Sequence, residues 1–333
     1  MKRTIFILIL TIISNSLFCQ IVRMSGTTLE EIENSEQRKS LGILKITTKE
    51  FCDSLSYNAD INYKIQSVKE FNKNGDLIRV YSSKKDSSIY LSGEYQYDDQ
   101  HRRLTCQQYY ESGKKGGTYN AIIKDSLIVG EKRNPSVMSI DSSYFSFYSN
   151  GERVLDITYK NGAVKDSTFY TIENGKRVLA KKFYKGKLEY FIRYEYLTDE
   201  DYIERIFEKD TTLRLKRYWK YDSKSNLLDR VEYNKNEEIT TWYSNVYNDE
   251  GLEIEGGVFK TAEKILSFRI EKIYKNSNLI MVSHFNEENE LTSKSEYYYD
   301  SNGLNTAWKS ISYKKDKPKV SFIYKYEYEY QKE

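Results

Sequence analysis

Residues 322–330 read Phe-Ile-Tyr-Lys-Tyr-Glu-Tyr-Glu-Tyr. The aromatics Phe322, Tyr324, Tyr326, Tyr328 and Tyr330 fall on one parity, and Ile323, Lys325, Glu327 and Glu329 on the other. A period of two places the two sets on opposite faces of a strand, whereas a helix would scatter them around its circumference. Tyr95 and Tyr97 against Glu94 and Gln96 repeat the pattern, as do Tyr194 and Tyr196 against Arg193 and Glu195. The tyrosine parity is the expected packed face, because unpaired charges cost too much to bury.

Between the alternating runs lies a recurrent unit: an aromatic residue, a polar turn with Asp, Asn or Gly, then an aliphatic residue. Copies start at Phe71, Tyr97, Tyr221, Tyr247, Tyr274, Phe285 and Tyr299, and looser ones at Tyr148, Tyr159 and Tyr184. Tyr221, Tyr247, Tyr274 and Tyr299 are 26, 27 and 25 residues apart, with half-steps of 11 and 14 residues at Phe285. A step near 13 is one strand plus one turn. Asn and Asp close local hydrogen bonds in such turns and Gly supplies positive φ, so the unit is a hairpin signal. Turns are expected at Asn74-Gly75, Asp98-Asp99, Ser225-Asn226, Glu250-Gly251 and Asn302-Gly303.

The predicted fold class is therefore mainly β: an antiparallel hairpin array, an extended sheet or solenoid-like, over residues 65–330. Residues 110–140, with Gly113, Gly116, Gly117 and Pro135, read as an irregular connection. Residues 20–64 read as a separate N-terminal segment. One short helix is expected over residues 28–39, where Thr28 and Glu31 form a capping box.

The aromatic-Asp/Asn-x-x-Gly-x-Leu turns at this period resemble the YD repeats of Rhs-like bacterial secreted and surface proteins. They are also similar to MORN-like hairpin repeats of an antitoxin-like class. The resemblance spans roughly residues 65–330 and implies a β-hairpin array. It carries no catalytic residue with it.

The N-terminus changes the picture of destination. Met1-Lys2-Arg3 precedes the apolar run Ile5–Ile13, which Asn15 and Ser16 interrupt. That is the pattern of a signal peptide over residues 1–19, too short to span a bilayer. The expected location is secreted, periplasmic or cell-envelope, with no membrane span after signal removal. Cys19 also stands where a lipoprotein cysteine would, but Phe18 departs from that pattern. Cys52 and Cys106 remain in the mature chain, and in an oxidising compartment such a pair is a possible disulfide.

Charge and composition narrow the functions. The 333 residues carry 52 Lys and Arg against 49 Asp and Glu, a net charge of +3. Export and that balance argue against nucleic acid. The two histidines, His101 and His284, are too few for a His-based zinc site and read as solvent-edge residues. Motifs of the HExxH, CxxC, Gly-x-Ser-x-Gly and Walker types are absent, so no catalytic residue, metal ligand or cofactor is assigned. Cys106 and His101 lack any orienting motif around them. The expected function is non-enzymatic: a repeat protein presenting an extended surface to a protein or glycan partner at the envelope. Trp308 is the candidate binding anchor, with Trp219 and Trp242 the other tryptophans. Two alternatives stay open: a secreted hydrolase acting on polysaccharide or peptide, and an immunity protein that neutralises a toxin.

Overall fold

The structure, a computed structural model, describes residues 29–124, 127–134, 142–149, 152–261, 263–314 and 317–331. The predicted signal peptide, Cys19 and the Thr28 cap lie outside the described residues. Among the described residues two short helices, α1 (Leu29–Ser40) and α2 (Ser54–Ala59), accompany a single antiparallel sheet of 22 strands. The first strands are β1 (Ile43–Phe51), β2 (Lys64–Phe71), β3 (Leu77–Ser83), β4 (Ile89–Tyr97), β5 (Arg103–Tyr109), β6 (Lys115–Lys124) and β7 (Leu127–Asn134). Next come β8 (Ser142–Ser149), β9 (Glu152–Lys160), β10 (Ala163–Glu173), β11 (Lys176–Tyr184), β12 (Lys187–Tyr196), β13 (Asp201–Glu208) and β14 (Leu213–Tyr221). The last are β15 (Leu227–Tyr233), β16 (Ile239–Tyr247), β17 (Glu253–Lys260), β18 (Ile265–Lys275), β19 (Asn278–Phe285), β20 (Leu291–Tyr299), β21 (Asn305–Lys314) and β22 (Lys317–Tyr330).

The hairpin array is as the alternation predicts, and its two ends meet. Each strand pairs with the next in sequence, and β22 pairs with β1 from Ile43↔Tyr330 to Phe51↔Ile323. Every strand thus has two partners, and the meander closes into a barrel without an edge. β1 comes from the segment read as lying outside the array. Its sequence, Ile-Leu-Lys-Ile-Thr-Thr-Lys-Glu-Phe, is β-branched and alternating, and it fills the one gap between β2 and β22. The stretch read as an irregular connection likewise holds β6 and β7. Gly116 and Gly117 lie inside β6, where an extended backbone accepts them; only Gly113, at φ 77°, turns the chain.

Two turn designs build the ends. Among the described residues nine connections are five residues long, and in each the first residue's N–H donates to the fifth's carbonyl, as in Asn72–Asp76, Asp98–Arg102, Asp222–Asn226 and Asp300–Leu304. The fourth residue is left-handed: Gly75, His101, Ser225 and Gly303 have φ of 77°, 60°, 65° and 75°. An Asp or Asn in first place accepts the backbone N–H of the third and fifth residues, as Asp222 does from Lys224 and Asn226. Shorter turns such as Asn161-Gly162 and Asn174-Gly175 have two consecutive positive φ values, the type I′ arrangement that matches strand twist. All five turns expected from the sequence fall at these connections.

Directly paired residues share a face, so the register follows each parity around the ring. One face carries Tyr95, Cys106, Tyr119, Asp156, Tyr170, Tyr190, Tyr194, Tyr202, Trp219, Tyr243, Tyr297, Trp308, Tyr324 and Tyr326. It lines the concave side, where burial pushes the phenols of Tyr170, Tyr194, Tyr202, Tyr326 and Tyr328 upward. The opposite face is convex. It carries ion pairs such as Lys45–Glu329, Arg79–Glu94 and Arg205–Glu195, together with exposed Phe169, Val246, Ile273 and Tyr298. One core cluster lies at the end where α1 docks, around Ile43, Phe71 and Leu304, with Leu41, Ile46, Leu77 and Tyr328 against them. At the other end of β1, Phe51 is fully buried against Tyr57 of α2 and Tyr63.

Candidate ligand cavity in the barrel lumen

The tyrosine parity of β4–β6 and β8–β12 lines a cavity of about 860 Å³ on the lumenal wall. Its tyrosine rings are Tyr95, Tyr119, Tyr170, Tyr190 and Tyr194, and its charged groups are Arg103, Arg153, Arg177, Lys182, Asp156 and Asp166. Alternation turns most of these inward, and a β-bulge next to Arg153 and another next to Arg177 bring those two arginines to the same face as Asp156 and Lys182.

Arg153 and Arg177 are the second residues of β9 and β11, and Arg103 is the first of β5. All three strands start at the α1 end, so the arginines stand near one mouth of the barrel. Each lies over a tyrosine ring: Arg103 over Tyr119 at 5.1 Å, Arg153 over Tyr148 at 5.8 Å, and Arg177 over Tyr170 at 4.3 Å. Such stacking fixes a guanidinium without neutralising it. Asp156 accepts hydrogen bonds from Ser146 Oγ at 2.6 Å and from the Tyr170 hydroxyl at 2.9 Å. Arg153 Nε stands 3.6 Å from the same carboxylate. Burial, then Asp156, pushes the Tyr170 phenol strongly upward, so it stays a neutral donor at physiological pH. Burial also raises the Cys106 thiol, which makes it a poor nucleophile.

Aromatic contacts continue around the lumen between neighbouring strands. Tyr202 stacks on Trp219 at 6.0 Å and on Tyr221 at 6.2 Å. Trp308 stacks on Tyr297 at 6.1 Å and on Tyr324 at 5.1 Å, and meets Phe322 edge-on at 5.2 Å. Trp308, the anchor named from the sequence, therefore belongs to the lumenal wall, half-buried and away from the cavity of β4–β12. Trp242 faces outward and donates to Asp229 at 2.7 Å.

Cys52 and Cys106 are both free thiols. Cys52 is exposed just past β1, whereas Cys106 lies within β5 on the lumenal face. Four strand intervals, about 19 Å at 4.8 Å each, exceed the span of a disulfide.

His101 departs from the solvent-edge reading. It sits in the β4–β5 turn, mostly buried, with Nδ1 2.6 Å from Asp76 Oδ1 and Nε2 3.1 Å from Glu36 of α1. Ser35 Oγ of α1 donates to the same Asp76 at 3.0 Å, and Arg38 donates to Gly75 O at 2.8 Å. This cluster fastens α1 across two turns of the barrel rim and holds His101 away from Cys106. His284 is a lumenal residue stacked on Phe268, its imidazole pushed down by burial and by Lys272. Among the described residues no group of three or more His, Cys, Asp or Glu side chains could hold a metal ion.

No protein-family model matches the chain, and neither does any curated protein. Among solved structures, TcdB2-TccC3-TEV matches with 8% identity and a TM-score of 0.23. That match covers 78% of this chain and 19% of the other, so this chain spans about a fifth of its length. A porin-like protein from Bacteroides uniformis matches with 12% identity and a TM-score of 0.25, over 87% of this chain and 97% of that one. One from Bacteroides vulgatus matches with 7% identity and a TM-score of 0.29, over 76% and 97%.

Proposed function

We propose that the chain is an exported, non-enzymatic binding protein that holds a glycan against the lumenal wall of β4–β12. The observation carrying this reading is the cavity itself: five tyrosine rings with interspersed cations and carboxylates on one concave face. Tyrosine offers a flat apolar face and a hydroxyl together, which complements the C–H faces and hydroxyls of a sugar ring. A volume of about 860 Å³ lies within the range of small-ligand sites. Export rests on the signal pattern of residues 1–19.

Affinity electrophoresis of the mature protein through gels containing individual polysaccharides tests the reading, with reducing ends assayed in parallel. Retardation by a polysaccharide without release of reducing ends is expected. Tyr190→Ala and Tyr194→Ala should weaken it by about 1 kcal/mol each, the scale of ring contacts. Release of sugar would replace this reading with the hydrolase, and migration unaffected by any glycan would remove it.

A further inference from the structure

We infer that the lumenal cavity selects an acidic oligosaccharide, one whose carboxylate or sulfate groups are spaced to meet Arg177 and Lys182 together. This rests on the glycan-binding reading above and goes further by assigning the charge and the length of the ligand.

The first support is charge imbalance. Four cationic side chains face two carboxylates in the cavity. Asp156 is already engaged by Ser146, Tyr170 and Arg153, so it does not offset the remaining cations. Among the described residues, no carboxylate pairs with Arg177 or Lys182. Unpaired cations on a concave wall concentrate the field there and favour an anion.

The second support is the way Arg177 is held. Its guanidinium lies 4.3 Å from the Tyr170 ring centre and 5.9 Å from that of Tyr194. Its buried Nε has no hydrogen-bond partner. A cation fixed by rings and left with unused hydrogen-bonding capacity is preorganised for a bidentate acidic group.

The third support is spacing. Arg177 and Lys182 lie on one strand, with buried Ala180 between them on the same wall. A bulge takes up one of the five steps, so their partners on β10, Ile172 and Thr168, are four residues apart and the two backbones stand about 13 Å apart. One sugar unit does not bridge that gap, and a chain of several units does. Small Ala180 leaves the wall low between the two cations, while Tyr190 and Tyr194 of β12 and Tyr170 of β10 flank the path.

Titration calorimetry on the full mature chain tests this with three probes of matched length: polygalacturonate oligomers, dextran sulfate and neutral dextran. The expected result is that at least one acidic probe binds more tightly than dextran and weakens as salt rises. Arg177→Gln and Lys182→Gln should each reduce its affinity by about tenfold, the scale of a lost charge-assisted contact. Arg177→Lys retains the charge and should lose less, and melting curves confirm that each variant folds. The comparison of the two acidic probes tells carboxylate from sulfate. Equal affinity for dextran and the acidic probes would overturn the selectivity and leave glycan binding standing. Acidic binding unchanged by both Gln variants would overturn the site. If none of the three probes binds, and the polysaccharide gels show no retardation, the underlying reading falls as well.

Discussion

Trp308 is wedged between Tyr297 and Tyr324 with Phe322 against its edge, and its buried Nε1 has no hydrogen-bond partner. An indole in that setting contributes mainly by packing. Trp308→Ala should lower stability by about 2–3 kcal/mol, less than a full core deletion because the ring is only half-buried. Chemical denaturation measures it. A loss under about 0.5 kcal/mol, the range of ordinary surface changes, would mean that the stack carries no weight. His101 illustrates the same scale differently. A left-handed φ of 60° is unfavourable for a residue with a Cβ. The position is compensated by two carboxylate contacts, one to Glu36 of α1 and one to Asp76 of the β2–β3 turn.

Elements meet at turns and at the seam. Gly75 and Gly113 occupy equivalent places in five-residue turns, both at φ 77°. A Cβ at Gly113 would meet open space, whereas one at Gly75 would stand 2.0 Å from Ser35 O and 2.9 Å from Lys39 N of α1. Gly113→Ala should therefore cost only the left-handed penalty, about 1–2 kcal/mol. Gly75→Ala should cost more and free α1 from the rim. Paired melts, with limited proteolysis between α1 and β1, separate the two outcomes. At the seam, Lys49 of β1 and Lys325 of β22 both reach Asp60, which follows α2, and Lys49 also pairs with Glu327 at 2.6 Å. The hydrogen bond from Lys325, and then that from Lys49, holds the Asp60 carboxyl below its ordinary value. A lowered carboxylate stabilises the fold fully above its unfolded pKa of about 4, and the contribution vanishes as pH falls through the folded value. Asp60→Asn should thus lower the melting temperature at pH 7 and make little difference near pH 2. A difference that persists in acid would assign the effect to packing.

At the scale of the whole molecule, closure removes every edge strand, yet the outer face is unlike that of a membrane barrel. Glu271, Arg205, Arg193 and Lys309 stand along the middle of outward-facing strand positions. A lysine or arginine on a lipid-facing strand costs roughly 2–4 kcal/mol near the bilayer midplane. The mature protein should remain in solution without detergent and should not float with liposomes in a density gradient. Co-flotation resistant to high salt would contradict the assignment of the charged parity to water.

The strands and turns were legible because their causes are local. Alternation within nine residues sets the two faces, and Asp, Asn or Gly at fixed places in a turn sets its geometry whatever surrounds it. The sequence by itself therefore determined a β-hairpin array, five of its turns and a helix expected over residues 28–39, found at Leu29–Ser40. Closure was decided elsewhere: β1 and β22 are nearly the whole chain apart, and no local signal says that Ile46 will face Tyr328. Parity likewise separates tyrosines from charges without saying which side is concave; that follows from the curvature of the closed sheet. The cavity is the extreme case, since Arg177, Tyr194, Asp156 and Tyr119 come from four different strands and become one wall only when the register of each pair is fixed. His101 looked like a solvent-edge residue because its partners, Asp76 and Glu36, lie 25 and 65 residues upstream. Tertiary structure decides such features because they depend on which distant segments the chain brings side by side, and single-strand periodicity holds no record of that.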